Sequence, residues 1–141
     1  MKILVVSDTH GRMDFFERAF EIEQPDEIFH LGDGLGCEDE IEASTGVPLS
    51  IVRGNCDWDS DLPGELVVSV GKHRVFLTHG HMYGVNYSLT DIVNASDERN
   101  ADVIIFGHTH VPELTVGYYG KTIFNPGSIS APRQDGKKHT Y

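Results

Sequence analysis

The stretch "VIIFGHTH", Val103 to His110, is a β-branched apolar run that breaks at a glycine and then delivers two imidazoles two residues apart. The run is too short for a buried helix and has the composition of a buried strand. A His-x-His at the mouth of such a strand suits a metal ion, so the rest of the chain is searched for the remaining donors. The same grammar recurs four times. Ile3–Val6 runs into "SDTHG" with Asp8 and His10, Ile28–Leu31 into "GDG" with Asp33, Leu49–Val52 into "RGNCD" with Asn55, Cys56 and Asp57, and Val75–Thr78 into "HGH" with His79 and His81. Ligands of open α/β sheets collect beyond the carboxyl ends of strands, and these five ends are expected to meet there.

The order of elements around these runs points to the fold. Asp14–Gln24 places Phe15, Phe16, Ala19 and Phe20 at helical spacing and stops at Pro25. Asp39–Ala43 is a short acidic helix candidate, and Leu89–Arg99 carries Leu89, Ile92, Val93 and Ser96 on one face. Strands alternating with helices in the first half predict parallel pairing through crossovers. In the second half, Leu66–Val70 and Arg74–Thr78 flank "GKH", while Leu114–Tyr118 and Lys121–Phe124 flank "YG", which predicts two antiparallel hairpins. The expected architecture is mixed α/β: a two-sheet β-sandwich with helices outside.

The 141 residues suffice for one domain, residues 1–141, burying roughly two-thirds of its unfolded surface. No apolar run approaches the roughly 20 residues that span a bilayer, and "MKILVVSDTH" turns polar too early for a secretion signal, so a cytoplasmic protein is expected. The net charge of -11 argues against non-specific nucleic-acid binding through a basic face. Cys37 and Cys56 are too few and too unpatterned for a disulfide framework and are read as free thiols.

Asp8, His10, Asp33, Asn55, His79, His108 and His110 form an oxygen-and-nitrogen donor set without thiolate. Such a set favours manganese, iron, nickel or zinc over calcium. Seven donors exceed what one tetrahedral ion can use, whereas two divalent ions sharing Asp33 would use all of them and keep positions open for water and substrate. Two ions about 3.5–4 Å apart would supply a bridging hydroxide at neutral pH and draw an anionic phosphate to an acidic body.

Taken in order, "D8-x-H10", "G32-D33", "G54-N55", "H79-G-H81" and "G107-H-T-H110" resemble the signature of the calcineurin-like metallophosphoesterases, and in particular the small bacterial and archaeal phosphodiesterase branch of the YfcE type. The resemblance implies a first metal on Asp8, His10, Asp33 and His110 and a second on Asp33, Asn55, His79 and His108. It further implies Mn2+ or Ni2+ as the ions, with Fe, Zn or Mg as other candidates, and a small phosphodiester as substrate. Catalysis would then rest on hydroxide held at Asp33, Asn55 and His79, with no separate nucleophile, and His81 and Cys56 are further candidates for contact with substrate.

This sequence departs from the wider family where Cys56 stands in place of a histidine. A thiol is a weaker hydrogen-bond donor and is not cationic at neutral pH, which counts against monoesters with alkoxide leaving groups and less against diesters with acidic leaving groups or strained cyclic diesters. The alternatives carried forward are a phosphomonoesterase or nucleotidase and a non-catalytic interaction scaffold on the same fold. Asp57 is read as orienting neighbouring His or Cys side chains, and His30 as a hydrogen-bonded core histidine. The segment after Gly127 resembles the point where relatives begin a last hairpin, so a missing C-terminal strand is expected, and an unpaired sheet edge would favour a homo-oligomer.

Overall fold

The computed structural model describes residues 1–57 and 60–128. The expected absence of a final hairpin concerns residues outside that range. Among the described residues, eight strands and three helices follow in the order β1 (Ile3–Val6), α1 (Asp14–Glu23), β2 (Glu27–His30), α2 (Glu38–Thr45), β3 (Leu49–Ile51), β4 (Glu65–Val70), β5 (His73–Thr78), α3 (Thr90–Glu98), β6 (Val103–Ile105), β7 (Glu113–Tyr118) and β8 (Lys121–Asn125), with a 3-10 turn at His81–Tyr83. Strands β1, β2 and β3 pair in parallel, as the intervening helices require. The second sheet runs β4-β5-β6-β8-β7. Its hairpins β4–β5 and β7–β8 are antiparallel as expected, and the latter turns through Tyr119 and Gly120, both at positive φ, as a type I′ turn requires.

Between the hairpins lies an arrangement that local pattern does not reveal: β6 is inserted in parallel between β5 and β8. The mixed sheet thereby points the ends of β5 and β6 the same way, which places His79 beside the Gly107–His110 loop.

Strand periodicity of two sorts the side chains into layers. On β1, Leu4 and Val6 face α1 and α2 in a cluster with Phe16, Ile28 and Ile41. Ile3 and Val5 face the other sheet, packing with Phe29, Leu31, Val75, Leu77 and Ile105. The far face of the second sheet presents Phe76, Ile104 and Ile123 to Ile92, Val93 and Ala95 of α3. The result is a four-layer helix–sheet–sheet–helix sandwich in which all five polar strand ends open at one edge. Among the described residues no helix is long and apolar enough to cross a membrane.

Candidate metal centre

The three parallel strands β1 to β3 deliver Asp8, His10, Asp33 and Asn55 from one sheet, and β5 and β6 deliver His79, His108 and His110 from the other. All seven converge. Nε2 of His10 and Nε2 of His110 lie 3.3 Å apart, and Asp8 Oδ1 sits 3.7 Å from the first and 3.2 Å from the second. On the other side, Asn55 Oδ1 lies 3.0 Å from both His79 Nε2 and His108 Nδ1. Asp33 stands between the two groups, its Oδ2 being 3.9 Å from His10 Nε2 and 3.2 Å from His79 Nε2.

The tautomer of His79 makes this convergence chemically specific. Its Nδ1 lies 2.7 Å from the carbonyl of Leu31, which can only accept, so Nδ1 carries the proton and Nε2 turns a lone pair toward Asp33 and Asn55. Histidine ligands are commonly held this way, by a carbonyl on the far nitrogen. Carboxylate, amide oxygen and imidazole lone pairs facing one another would repel unless a proton or a cation lies among them. The donor atoms of Asp8, His10 and His110, and those of Asp8, Asp33 and His79, each lie within 4.8 Å of one another. The residues therefore fit the divalent ions that the sequence suggests.

Titration in the ion-free protein follows the same crowding. Burial would raise the Asp8 carboxyl, but hydrogen bonding to His10 and His110 and the charge of His79 outweigh it and hold Asp8 well below the usual carboxylate range. Asp33 is likewise raised by burial and lowered further by its bond to His79, with a net shift downward. His10 is raised, chiefly by Asp8, and His79 is raised by Asp33 and Asp8 against the opposing effect of its burial.

Backbone geometry marks the same residues. Asp8, His10, Asp33, His108 and His110 all have left-handed φ values, between 49° and 71°, and they make up five of the nine described non-glycine residues at positive φ. Such conformations are costly for residues with a Cβ, and they gather at functional sites whose surroundings enforce them. Two glycines allow the loops to meet. A Cβ on Gly54 would fall onto Asp33 Oδ1 and lie 2.5 Å from the Asp33 nitrogen, and one on Gly107 would fall onto Ser7 Oγ and lie 3.0 Å from Asp8 Oδ2.

Several supporting residues were not identified from the sequence. Ser7 Oγ donates to Asp8 Oδ2 at 2.5 Å and Ser128 Oγ donates to the Asp8 carbonyl at 2.9 Å. Asn125 Nδ2 reaches the Gly107 carbonyl and Thr109 Oγ1, pinning the loop that bears both histidines. "FNPGS", Phe124 to Ser128, at the end of β8 repeats the strand-then-polar-glycine grammar and could have been read as a sixth converging end. Asp57 does not act on a His or Cys side chain as expected. Its carboxylate instead accepts the backbone N–H groups of Asp33 at 2.7 Å, Gly54 at 2.9 Å and Leu35 at 2.8 Å.

The other candidates take peripheral places. His81 is half-buried, its ring 5.5 Å from that of His79 and 6.2 Å from that of His108, and burial lowers its pKa. Cys56 is an exposed free thiol whose backbone N–H donates to Asp33 Oδ1 at 2.7 Å. Burial and the Asp33 carboxylate raise its pKa, so it stays protonated at neutral pH. Cys37 is a buried free thiol pushed up to about 11 by burial. His30 is buried as expected, with Nε2 3.1 Å from Thr9 Oγ1 and Nδ1 accepting the Gly32 N–H.

The calcineurin-like phosphoesterase superfamily domain matches residues 1–141 of the chain. The chain belongs to this superfamily. Within it, the chain is 36% identical over 136 residues to the probable metallophosphoesterase YsnB of Bacillus subtilis, covering 94% of this chain and 78% of that protein. It is 31% identical over 160 residues to phosphodiesterase YfcE of Escherichia coli K12, covering 94% and 82% respectively. Among solved structures, a predicted phosphoesterase from Streptococcus pneumoniae TIGR4 superposes with a TM-score of 0.81 at 30% identity, covering 95% of this chain and 76% of that one. Vps29 of Chaetomium thermophilum shares the calcineurin-like fold at a TM-score of 0.78 and 23% identity over 91% of this chain and 71% of that one.

Proposed function

We propose that the chain is a dinuclear metal-dependent phosphodiesterase acting on a small phosphodiester. The observation that carries this reading is the pair of overlapping donor sets on either side of Asp33, one built from Asp8, His10 and His110 and the other from Asn55, His79 and His108. The likeness to YfcE, named a phosphodiesterase, supports the diester.

In this reading Asp33, between the two donor groups, would help hold both divalent ions, with Mn2+ or Ni2+ favoured. When bound, the ions would lower the pKa of water to near 7 and offset phosphoryl charge. The chain's own part is to hold the donors rigidly. The Leu31 carbonyl fixes the His79 tautomer, the Cys56 N–H orients Asp33, and Ser7 and Ser128 anchor Asp8. His81, whose ring lies 5.5 Å from that of His79 and 6.2 Å from that of His108, would be the side chain to contact a substrate oxygen.

With a protonated thiol at position 56 in place of an imidazole, the site has a weak acid for an alkoxide leaving group, which counts against monoesters with alkoxide leaving groups and less against diesters with acidic or strained cyclic ones. The test is hydrolysis of bis(4-nitrophenyl) phosphate against 4-nitrophenyl phosphate, with Mn2+ and with chelator. Metal-dependent turnover of the diester, lost in Asp33→Asn, is the expected result. Faster monoester turnover would favour the phosphomonoesterase reading, and no turnover with any ion would leave the scaffold role, whose only support is the shared fold of Vps29.

A further inference from the structure

A cavity of about 630 Å³ opens beside the candidate metal centre. Its rim includes Cys56 and Asp57, and the Cys56 thiol lies within 4.8 Å of donor atoms of His10 and Asp33, so the cavity and the centre are contiguous. Leu35, 49% exposed, and the half-buried Leu62 give it apolar walls. Glu38 and Asp61 give it negative charge, and among the described residues that line it there is no lysine or arginine.

These carboxylates differ in one respect from that of Asp57, which is fully engaged by three backbone N–H groups. Glu38 Oε2 is a buried oxygen with no hydrogen-bond partner among the described residues. A buried carboxylate oxygen calls for a donor or a cation. A body of net charge -11 adds to the field against any anionic group entering here.

We propose that this cavity seats one ester arm of the diester substrate and selects a cationic or uncharged arm over an anionic one. The inference rests on the phosphodiesterase reading and specifies its substrate class. The phosphoryl group would lie at the centre while the arm enters between Leu35 and Leu62 with its positive end toward Glu38 and Asp61. The hydrolytic step is unaltered: water adds to phosphorus, the P–O bond to the other arm breaks, and that arm leaves with a proton from solvent.

The test uses the Mn2+-loaded 141-residue protein and three diesters sharing a 4-nitrophenol leaving group, whose retained arms are choline, propyl and 3-carboxypropyl. Values of kcat/KM are expected to fall in that order. In the double variant Glu38→Gln/Asp61→Asn, the choline-to-propyl ratio is expected to fall roughly threefold to tenfold, the range for two solvent-screened ion pairs. Glu38 also begins α2, where a carboxylate favours the helix dipole, so thermal melts of the variant separate lost folding from lost selectivity. Equal rates for the three diesters, an anionic preference, or an unchanged ratio in a folded variant would overturn the proposal.

Calorimetric binding of phosphocholine and ethyl phosphate keeps the two readings apart. If no diester is hydrolysed but phosphocholine binds more tightly in a Glu38- and Asp61-dependent way, the phosphodiesterase reading fails and the cavity's preference stands. Equal binding of the two ligands overturns the cavity's preference whatever the hydrolysis shows.

Discussion

Asp57→Ala removes the carboxylate that ties two candidate ligand loops together. In the native protein it accepts from the N–H groups of Asp33, Gly54 and Leu35. Leu35 is half-exposed, so water can take over its N–H at little cost, whereas Asp33 is 2% exposed and Gly54 is buried. Two buried donors left unsatisfied at about 1–3 kcal/mol each imply a loss of about 4 kcal/mol. For a chain of this size that corresponds to a drop in Tm of about 12 °C.

Asp57→Asn, which keeps one acceptor oxygen, should lose about half as much. The assay is thermal unfolding of the metal-free proteins followed by far-UV circular dichroism, with Mn2+ affinity measured alongside. Mn2+ binding should weaken more in Asp57→Ala than in a surface variant of equal Tm, because the Asp33 backbone loses its anchor. An alanine variant within about 1 kcal/mol of the native protein and with native Mn2+ affinity would show that these three bonds do not hold the loops.

Gly54→Ala forces a methyl onto the Asp33 carboxylate and should cost about 1–3 kcal/mol by overpacking, with Mn2+ binding measured by calorimetry falling at least as steeply. Gly107→Ala, crowding Ser7 and Asp8, should do the same, and native melting of either variant would contradict the close approach. His30, pushed down to about 4 by burial, takes up a proton in the unfolded chain before it does in the folded one. Stability should therefore fall as pH drops through about 6.5 toward 4, so that urea melts show native protein losing about 2 kcal/mol more than His30→Gln between pH 7 and 5. The Asp8 and Asp33 carboxylates raise the proton affinity of His10 and His79, and protons compete with a metal ion for those nitrogens, so Mn2+ affinity should rise with pH through neutrality, and a flat titration would count against them as ligands.

Most of the strands and all three helices were legible in the sequence because their signals are local. Ile3–Val6 alternates between the helical layer and the opposing sheet, Phe16 and Ala19 mark the buried face of α1, and Tyr119–Gly120 forms a hairpin turn. The convergence of the seven candidate donors was also legible, since each lies within a few residues of the end of an apolar strand. Sheet order was not, because insertion of β6 between β5 and β8 depends on which long-range pairing buries the most surface, and no short window encodes that. Asp57 was misread because a carboxylate next to Cys56 in sequence suggests side-chain partners, whereas the turn aims it at backbone amides. Ser7, Asn125 and Ser128 went unnoticed for a related reason: small polar residues at strand ends are common, and only the folded loops reveal what they grip.

The seven donors come from both halves of the sandwich, three positions on the second sheet facing four on the first. Ions seated there would act as rivets through the two plates at their open edge, while the remaining grip between the plates is greasy and non-directional. Stripping them with chelator should then let that edge breathe first, seen as faster amide exchange at the ends of β1 and β6 while the opposite edge of the sandwich keeps its protection.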